Sequence, residues 1–274
     1  MTDALTTYDV DEAGIALLRL DRPKVRNAMN TQMLEEMLEH LASAREDDSV
    51  RVLVLSSTDH MGLSAGADVR EELDADARVH RMELFAKVYD DLTGFPKPTV
   101  AACHGSCVGG GAEVAVACDL RVGGSNLRLR FPGGALGVPV GPARLVTLCG
   151  LSVAKYLLLS GKEVSADLAL RWGLVHRVAP AASTEEAALE LAATVAQNPS
   201  EATATLKRML HEWDGRGPLA GRGPGPGGVA ALRPRPPVSG VGTSELGGDC
   251  SLFPERAQTA VSSESGRRLT SIAR

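Results

Sequence analysis

The stretch PTVAACHGSCVGGGAEVAVAC, residues 98–118, decides how this chain is read. Pro98 to Cys103 is an apolar, β-type run, and a turn with three consecutive glycines, Gly109 to Gly111, follows it. A carboxylate, Glu113, and a helix-forming run from Ala112 to Cys118 come next. Glycines let a backbone approach a ligand with no Cβ in the way. The start of the helix adds unpaired N–H groups and the positive end of its dipole. Backbone donors aimed at one point, with Glu113 about one turn away, form an oxyanion-and-base arrangement.

Working outward, the same alternation of strand and helix recurs. Residues 14–20 read as a strand ending at Asp21-Arg22-Pro23. Asn30 is the expected N-cap of a helix whose apolar positions Met33, Leu34, Met37, Leu38 and Leu41 follow the helical period. Val50 to Leu55 is a continuous β-branched and leucine run that suits a buried strand. After a loop through Gly62 to Asp68, a second helix carries Val79, Met82, Phe85, Val88, Tyr89 and Leu92 on one face, closed by Gly94 and Pro96. Beyond the central unit, Leu157 to Leu159 and Ala166 to Trp172 read as helix, and Gly173 to Val178 as strand. Thr184 to Ala196 is a helix stopped by Asn198-Pro199, and a last one carries Ala202, Leu206, Met209, Leu210 and Trp213. Alternating strands and helices predict an α/β fold with mostly parallel strands.

Composition narrows the function classes. The 274 residues are 44% hydrophobic and 23% charged, as in ordinary soluble domains, and can bury a sizeable core. A formal net charge of -5 with no Lys/Arg stripe argues against nucleic acid, and 3% aromatic content argues against base-stacking platforms. No apolar run reaches the roughly 18 residues that span a bilayer. The N-terminus lacks the pattern of a signal peptide, so a cytoplasmic location is expected. Five irregularly spaced cysteines suit free thiols in a reducing compartment. After Asp214 the composition changes: residues 215–274 hold 12 Gly, 7 Pro and 8 Arg and no Lys, a bias that reads as a disordered tail.

Within the core, a second glycine loop, Leu63-Ser-Ala-Gly-Ala-Asp68, also leaves a strand. Two such loops at one sheet edge can polarise a carbonyl from two sides. The glycines at 105–111 do not fit the G-x-G-x-x-G pattern and no Walker lysine follows, so a dinucleotide or P-loop site is not expected. Cys103 and Cys107 have no second Cys/His pair, so no metal site is expected. Asp68, Glu71 and Glu72 read as an acidic helix start, and His104 and Asp119 as structural.

Five segments in order, Asp21–Asn30, Leu63–Asp68, His104–Glu113, Cys118–Val122 and Ala169–Val175, together resemble the crotonase superfamily, the enoyl-CoA hydratase/isomerase family. The resemblance covers about residues 10–214. It implies a crotonase-like spiral of ββα repeats, homotrimeric or hexameric assembly, and an acyl-CoA substrate whose coenzyme A makes any further cofactor unnecessary. It assigns the oxyanion hole to the backbone N–H groups of Ala67 and Gly110 and the acid/base role to Glu113. Lys24, Arg26, Ala28, Ala65 and Gly66 become substrate-binding positions.

The chain departs from the family pattern in two places. Gly133 stands where the family carries a second glutamate, which makes hydration doubtful. Isomerisation, decarboxylation, thioester hydrolysis or a catalytically weak CoA-binding role remain as alternatives. The domain reading is a core over 1–200, the start of a C-terminal helical region over 201–214, and a non-family tail over 215–274. That tail would truncate or replace the family's terminal helices and impair assembly.

Overall fold

The computed structural model of the chain describes residues 3–138 and 141–213. The reading of residues 215–274 as a disordered tail lies outside them. The chain opens with β1 (Thr6–Val10) and β2 (Ile15–Leu20), then α1 (Thr31–Glu46), β3 (Val52–Ser57), α2 (Ala75–Thr93) and β4 (Thr99–Cys103). The central unit continues through β5 (Ser106–Val108), α3 (Gly110–Ala117) and β6 (Leu120–Gly124). Then come β7 (Arg128–Arg130), a 3-10 turn at Gly133–Leu136, α4 (Pro142–Ser160), β8 (Val164–Ser165), α5 (Ala166–Arg171), β9 (Arg177–Ala179), α6 (Thr184–Ala196) and α7 (Ser200–Trp213). The α4 helix is broken at Gly150, whose φ is 76°.

One six-stranded sheet has the order β1-β2-β3-β4-β6-β9, and a small sheet has the order β5-β7-β8. In the large sheet only β1 and β2 pair antiparallel; every other neighbour is parallel. This is the mixed α/β spiral that the resemblance implies. The apolar runs are continuous because both faces of the sheet are covered. Ala16, Leu18, Leu53, Leu55, Ala101 and Cys103 face the cluster formed with α1, α2 and α3. Their alternates Ile15, Leu17, Val52, Val54, Val100 and Ala102 face Ala187, Ala188, Ala192 and Ala196 of α6. The strand period of two assigns each residue to its layer.

Several expectations change. The helix expected to start near Asp68 begins at Ala75, capped by Asp74 through the Ala77 N–H. The helical face read through Val79 and Met82 is buried only from Leu84 onward, and Val79 and Met82 are exposed. The α4 helix is far longer than its Leu157–Leu159 fragment. In α7 the apolar positions Leu206, Met209 and Leu210 are exposed, and it is Lys207 that is buried. Its ammonium bonds Asp119 at 2.7 Å and the Lys97 carbonyl at 3.0 Å. Among the described residues no helix is long and apolar enough to cross a membrane.

Asp119 also accepts from the Thr99 N–H (2.8 Å) and the Thr99 hydroxyl (3.0 Å), tying the end of α3 to β4. Burial pushes its carboxyl up, but His211, Lys207 and the Thr99 N–H outweigh this and hold it below the usual range. Asp119→Ala would strand the buried Lys207, an expected loss of about 3 kcal/mol measured by urea unfolding.

Candidate active site

Three loops leave the carboxyl ends of β2, β3 and β4, the edge where open parallel sheets gather ligands. The first carries Lys24, Arg26 and Ala28, the second Ala65, Gly66 and Ala67, and the third Gly109 and Gly110. Asn27 ties the first two together from a fully buried position. Its amide donates to Ser57 Oγ (2.6 Å) and the Leu63 carbonyl (3.1 Å), and its Oδ1 accepts from the Arg22 N–H (2.6 Å). Arg26 and Asn27 both sit at positive φ, 57° and 49°. Asn tolerates that region, whereas Arg26 is held there at a cost of roughly 1 kcal/mol or more.

Along residues 64–68 the hydrogen bonds alternate sides. Ser64 pairs with the third loop, donating to the Ser106 carbonyl (3.1 Å) and accepting from the Val108 N–H (3.0 Å). Ala65 turns the other way and donates to the Arg26 carbonyl (2.9 Å). Met29 donates to the Gly66 carbonyl (2.7 Å), and its own carbonyl accepts from the Asp68 N–H (2.9 Å). In this bridge the intervening Ala67 leaves its N–H on the side away from Met29. Gly110, the first residue of α3, has its nitrogen 3.2 Å from where a Cβ on Gly66 would lie. Neither the Ala67 nor the Gly110 N–H donates to an acceptor among the described residues.

Glu113 lies one turn into α3 and is 3% exposed. Its Oε2 accepts from Arg144 Nη2 at 3.0 Å. Burial pushes the Glu113 carboxyl above the usual carboxylate range, and Arg144 pulls it part of the way back. Gly141 packs so closely that a Cβ there would collide with the carboxylate. The Arg144 guanidinium also lies 5.1 Å from the centre of the Tyr89 ring. Met82, Phe85, Ala86, Tyr89 and Asp90 of α2, with Arg144 of α4, line a groove of about 160 Å³. The groove adjoins Gly110, because a Cβ there would meet Phe85 at 2.9 Å and the Tyr89 hydroxyl at 3.2 Å.

The structure thus brings Ala65, Gly66, Ala67, Gly110 and Glu113 to one end of the sheet, with Ala28 behind them. Lys24 and Arg26 are exposed on the first loop and make no side-chain ion pair among the described residues. Gly133 opens the 3-10 turn beside α3: Pro132 lies 3.9 Å from a Cβ position on Gly109, whose N–H donates to the Arg130 carbonyl at 2.9 Å. It brings no side chain to that place. Asp68 pairs with Arg22 and accepts from the Arg70 N–H. Glu71 caps a different helix, accepting from the Thr31 N–H at 3.0 Å while pairing with Arg81 at 2.9 Å. His104 bonds the Asp59 carbonyl at 2.8 Å through Nε2. Arg144, Tyr89 and Gly141 carried no signal in the sequence as site residues. No group of three or more His, Cys, Asp or Glu among the described residues is placed to hold a metal ion.

The Ala67 and Gly110 loops and the buried Glu113 carboxylate thus gather at the carboxyl edge of a largely parallel sheet in an α/β protein. The family model described as Enoyl-CoA hydratase/isomerase matches residues 11–214, and the chain belongs to that family. It is 34% identical over 201 residues to the 2,3-dehydroadipyl-CoA hydratase of Escherichia coli K12, covering 72% of this chain and 78% of that protein. It is 32% identical over 205 residues to the short-chain-enoyl-CoA hydratase of Clostridium acetobutylicum, covering 73% and 78%. The fold matches DspI of Pseudomonas aeruginosa with a TM-score of 0.73 at 28% identity, covering 80% of this chain and 84% of that one. An enoyl-CoA hydratase from Bacillus anthracis gives 0.72 at 28% identity, covering 75% and 82%.

Gly66 has a φ of 95°, and a Cβ on it would stand 2.7 Å from the Val108 carbonyl. Gly66→Ala is expected to cost about 2–3 kcal/mol, read by urea unfolding, because strain and backbone collision add.

Proposed function

We propose that the protein is an enoyl-CoA isomerase that works through a thioester enolate, with Glu113 as its single proton carrier. The observation that carries this is the union of one buried carboxylate, two unpartnered amides and a glycine at position 133. The Ala67 and Gly110 N–H groups hold the thioester oxygen as it gains charge. Preorganised donors of this kind are worth about 3–4 kcal/mol each in barrier height. The Glu113 carboxylate takes the proton from C2 of a 3-enoyl-CoA, and the C–H electron pair passes into the carbonyl to give a dienolate. Glu113, now protonated, returns the proton to C4 as the double bond settles between C2 and C3. One group serves both ends, so nothing else is consumed.

Hydration asks for more. Hydroxide must arrive at C3 and a proton at C2, work that a pair of carboxylates divides. Gly133 supplies no second carboxylate, which supports isomerisation over hydration for this chain. Lys24 and Arg26, exposed on the first loop, suit the phosphates of the coenzyme, while Ala28, Ala65 and Gly66 let its thioester end lie against backbone. The groove of α2 takes the apolar acyl chain leaving Gly110.

Glu113→Gln is expected to lower the rate of 3-enoyl-CoA to 2-enoyl-CoA conversion by about 10²–10⁴-fold, followed by the conjugated-thioester absorbance. An unchanged rate would remove Glu113 from the mechanism. Gly133→Glu is expected to raise hydration of a short 2-enoyl-CoA by about tenfold or more, since residue 133 has no positive φ that would strain a side chain.

A further inference from the structure

We infer that Arg144 is the positioning residue of this site, a cation that fixes the Glu113 carboxyl in place as the base. The inference rests on Glu113 being the proton carrier and adds what keeps it competent. A carboxylate that is 3% exposed on an eight-residue helix has little water to stabilise its charge. Arg144 Nη2 reaches Oε2 at 3.0 Å, and both side chains are largely buried, 16% and 4% exposed. The guanidinium is itself held, packed over Tyr89 at 5.1 Å. Gly141, three residues before it at the start of α4, has no Cβ and a φ of 80°, which lets α4 close onto the carboxylate. Arg144 Nε is buried with no hydrogen-bond partner among the described residues. That is a costly way to place an arginine unless its charge is needed where it sits.

The groups facing Glu113 leave Arg144 as the dominant influence. Tyr89 approaches from α2, with the exposed Asp90 beside it along the groove, and burial strongly opposes ionisation of the Tyr89 phenol. The Cys107 thiol sits against the Gly111 carbonyl of α3, and its hydrogen bond with Cys103, with burial, pushes it well up. Gly133 and Gly141 bring no titratable side chain. Arg144 is the one cation that pairs with Glu113 among the described residues. Its removal leaves burial unopposed, so the carboxyl takes up its proton at higher pH and the base is lost sooner on acidification.

The test reads Glu113 directly and does not need turnover. Infrared difference spectra between the wild type and Glu113→Gln isolate the carboxyl band, and its pH titration gives the midpoint. Repeated with Arg144→Met and Arg144→Met/Glu113→Gln, the midpoint is expected to rise by about one unit or more. Arg144→Lys, which keeps the charge but loses the planar fork, is expected to rise less. In isomerase assays Arg144→Met is expected to lower kcat by about tenfold or more, change KM by less than about twofold, and move the acid limb to higher pH. A midpoint and acid limb that stay put in both variants would overturn the inference, even if thermal stability falls. If Arg144→Met does not fold, Arg144→Lys carries the comparison with the same criterion. A rate unchanged in Glu113→Gln would instead sink the base assignment, while the titration would still decide the pairing.

Discussion

Two backbones touch at the carboxyl edge of the sheet, and the site exists because nothing stands between them. Residues 62–68 and 105–111 approach so closely that any Cβ on Gly62 would press on the Ser106 backbone. A Cβ on Gly66 would stand 2.7 Å from the Val108 carbonyl, and one on Gly111 would stand 2.6 Å from the Ser64 carbonyl. Glycine at these positions lets the two loops pair as short bridges, Gly62 with Gly105 and Ser64 with Cys107. The alternation of those bonds with the bonds to Met29 turns the Ala67 N–H away from Met29. The buried Asn27 amide locks the first loop to the second, and the Glu71 cap on Thr31 fastens the start of α1 to the segment leading into α2.

Most of this framework was legible in the sequence because it depends on short-range pattern. Asn30 caps α1 as its position before an apolar helix suggests, and α6 runs from Thr184 to Ala196 as its composition and the following Asn-Pro indicate. Glycine clusters marked both site loops, because close approach restricts residue type whatever the partner. The departures share a different cause. Val79 and Met82 follow the helical period, yet a period says which side of a helix is apolar and not whether another element covers it. Glu71 looked like the start of its own helix, but its partner is Thr31, forty residues earlier. Arg144 carried no signal in the sequence, since only the close approach of α4 through Gly141 brings it to Glu113.

The charge arrangement separates this chain from a two-carboxylate site. Among the described residues Glu113 is deeply buried and paired to the Arg144 guanidinium, and position 133 is a glycine. In the proposed isomerisation this arrangement moves one proton within one bound intermediate. Membership of the enoyl-CoA hydratase/isomerase family follows from the match over residues 11–214. The proposed direction of the chemistry rests on Glu113 and on the glycine at position 133.

The most direct measurement is exchange of the C2 protons of a saturated acyl-CoA in deuterated buffer, followed by proton NMR. It isolates enolate formation from every later step. The account predicts exchange catalysed by the wild type and slowed by about a hundredfold or more in Glu113→Gln. Exchange at the wild-type rate in Glu113→Gln would contradict it.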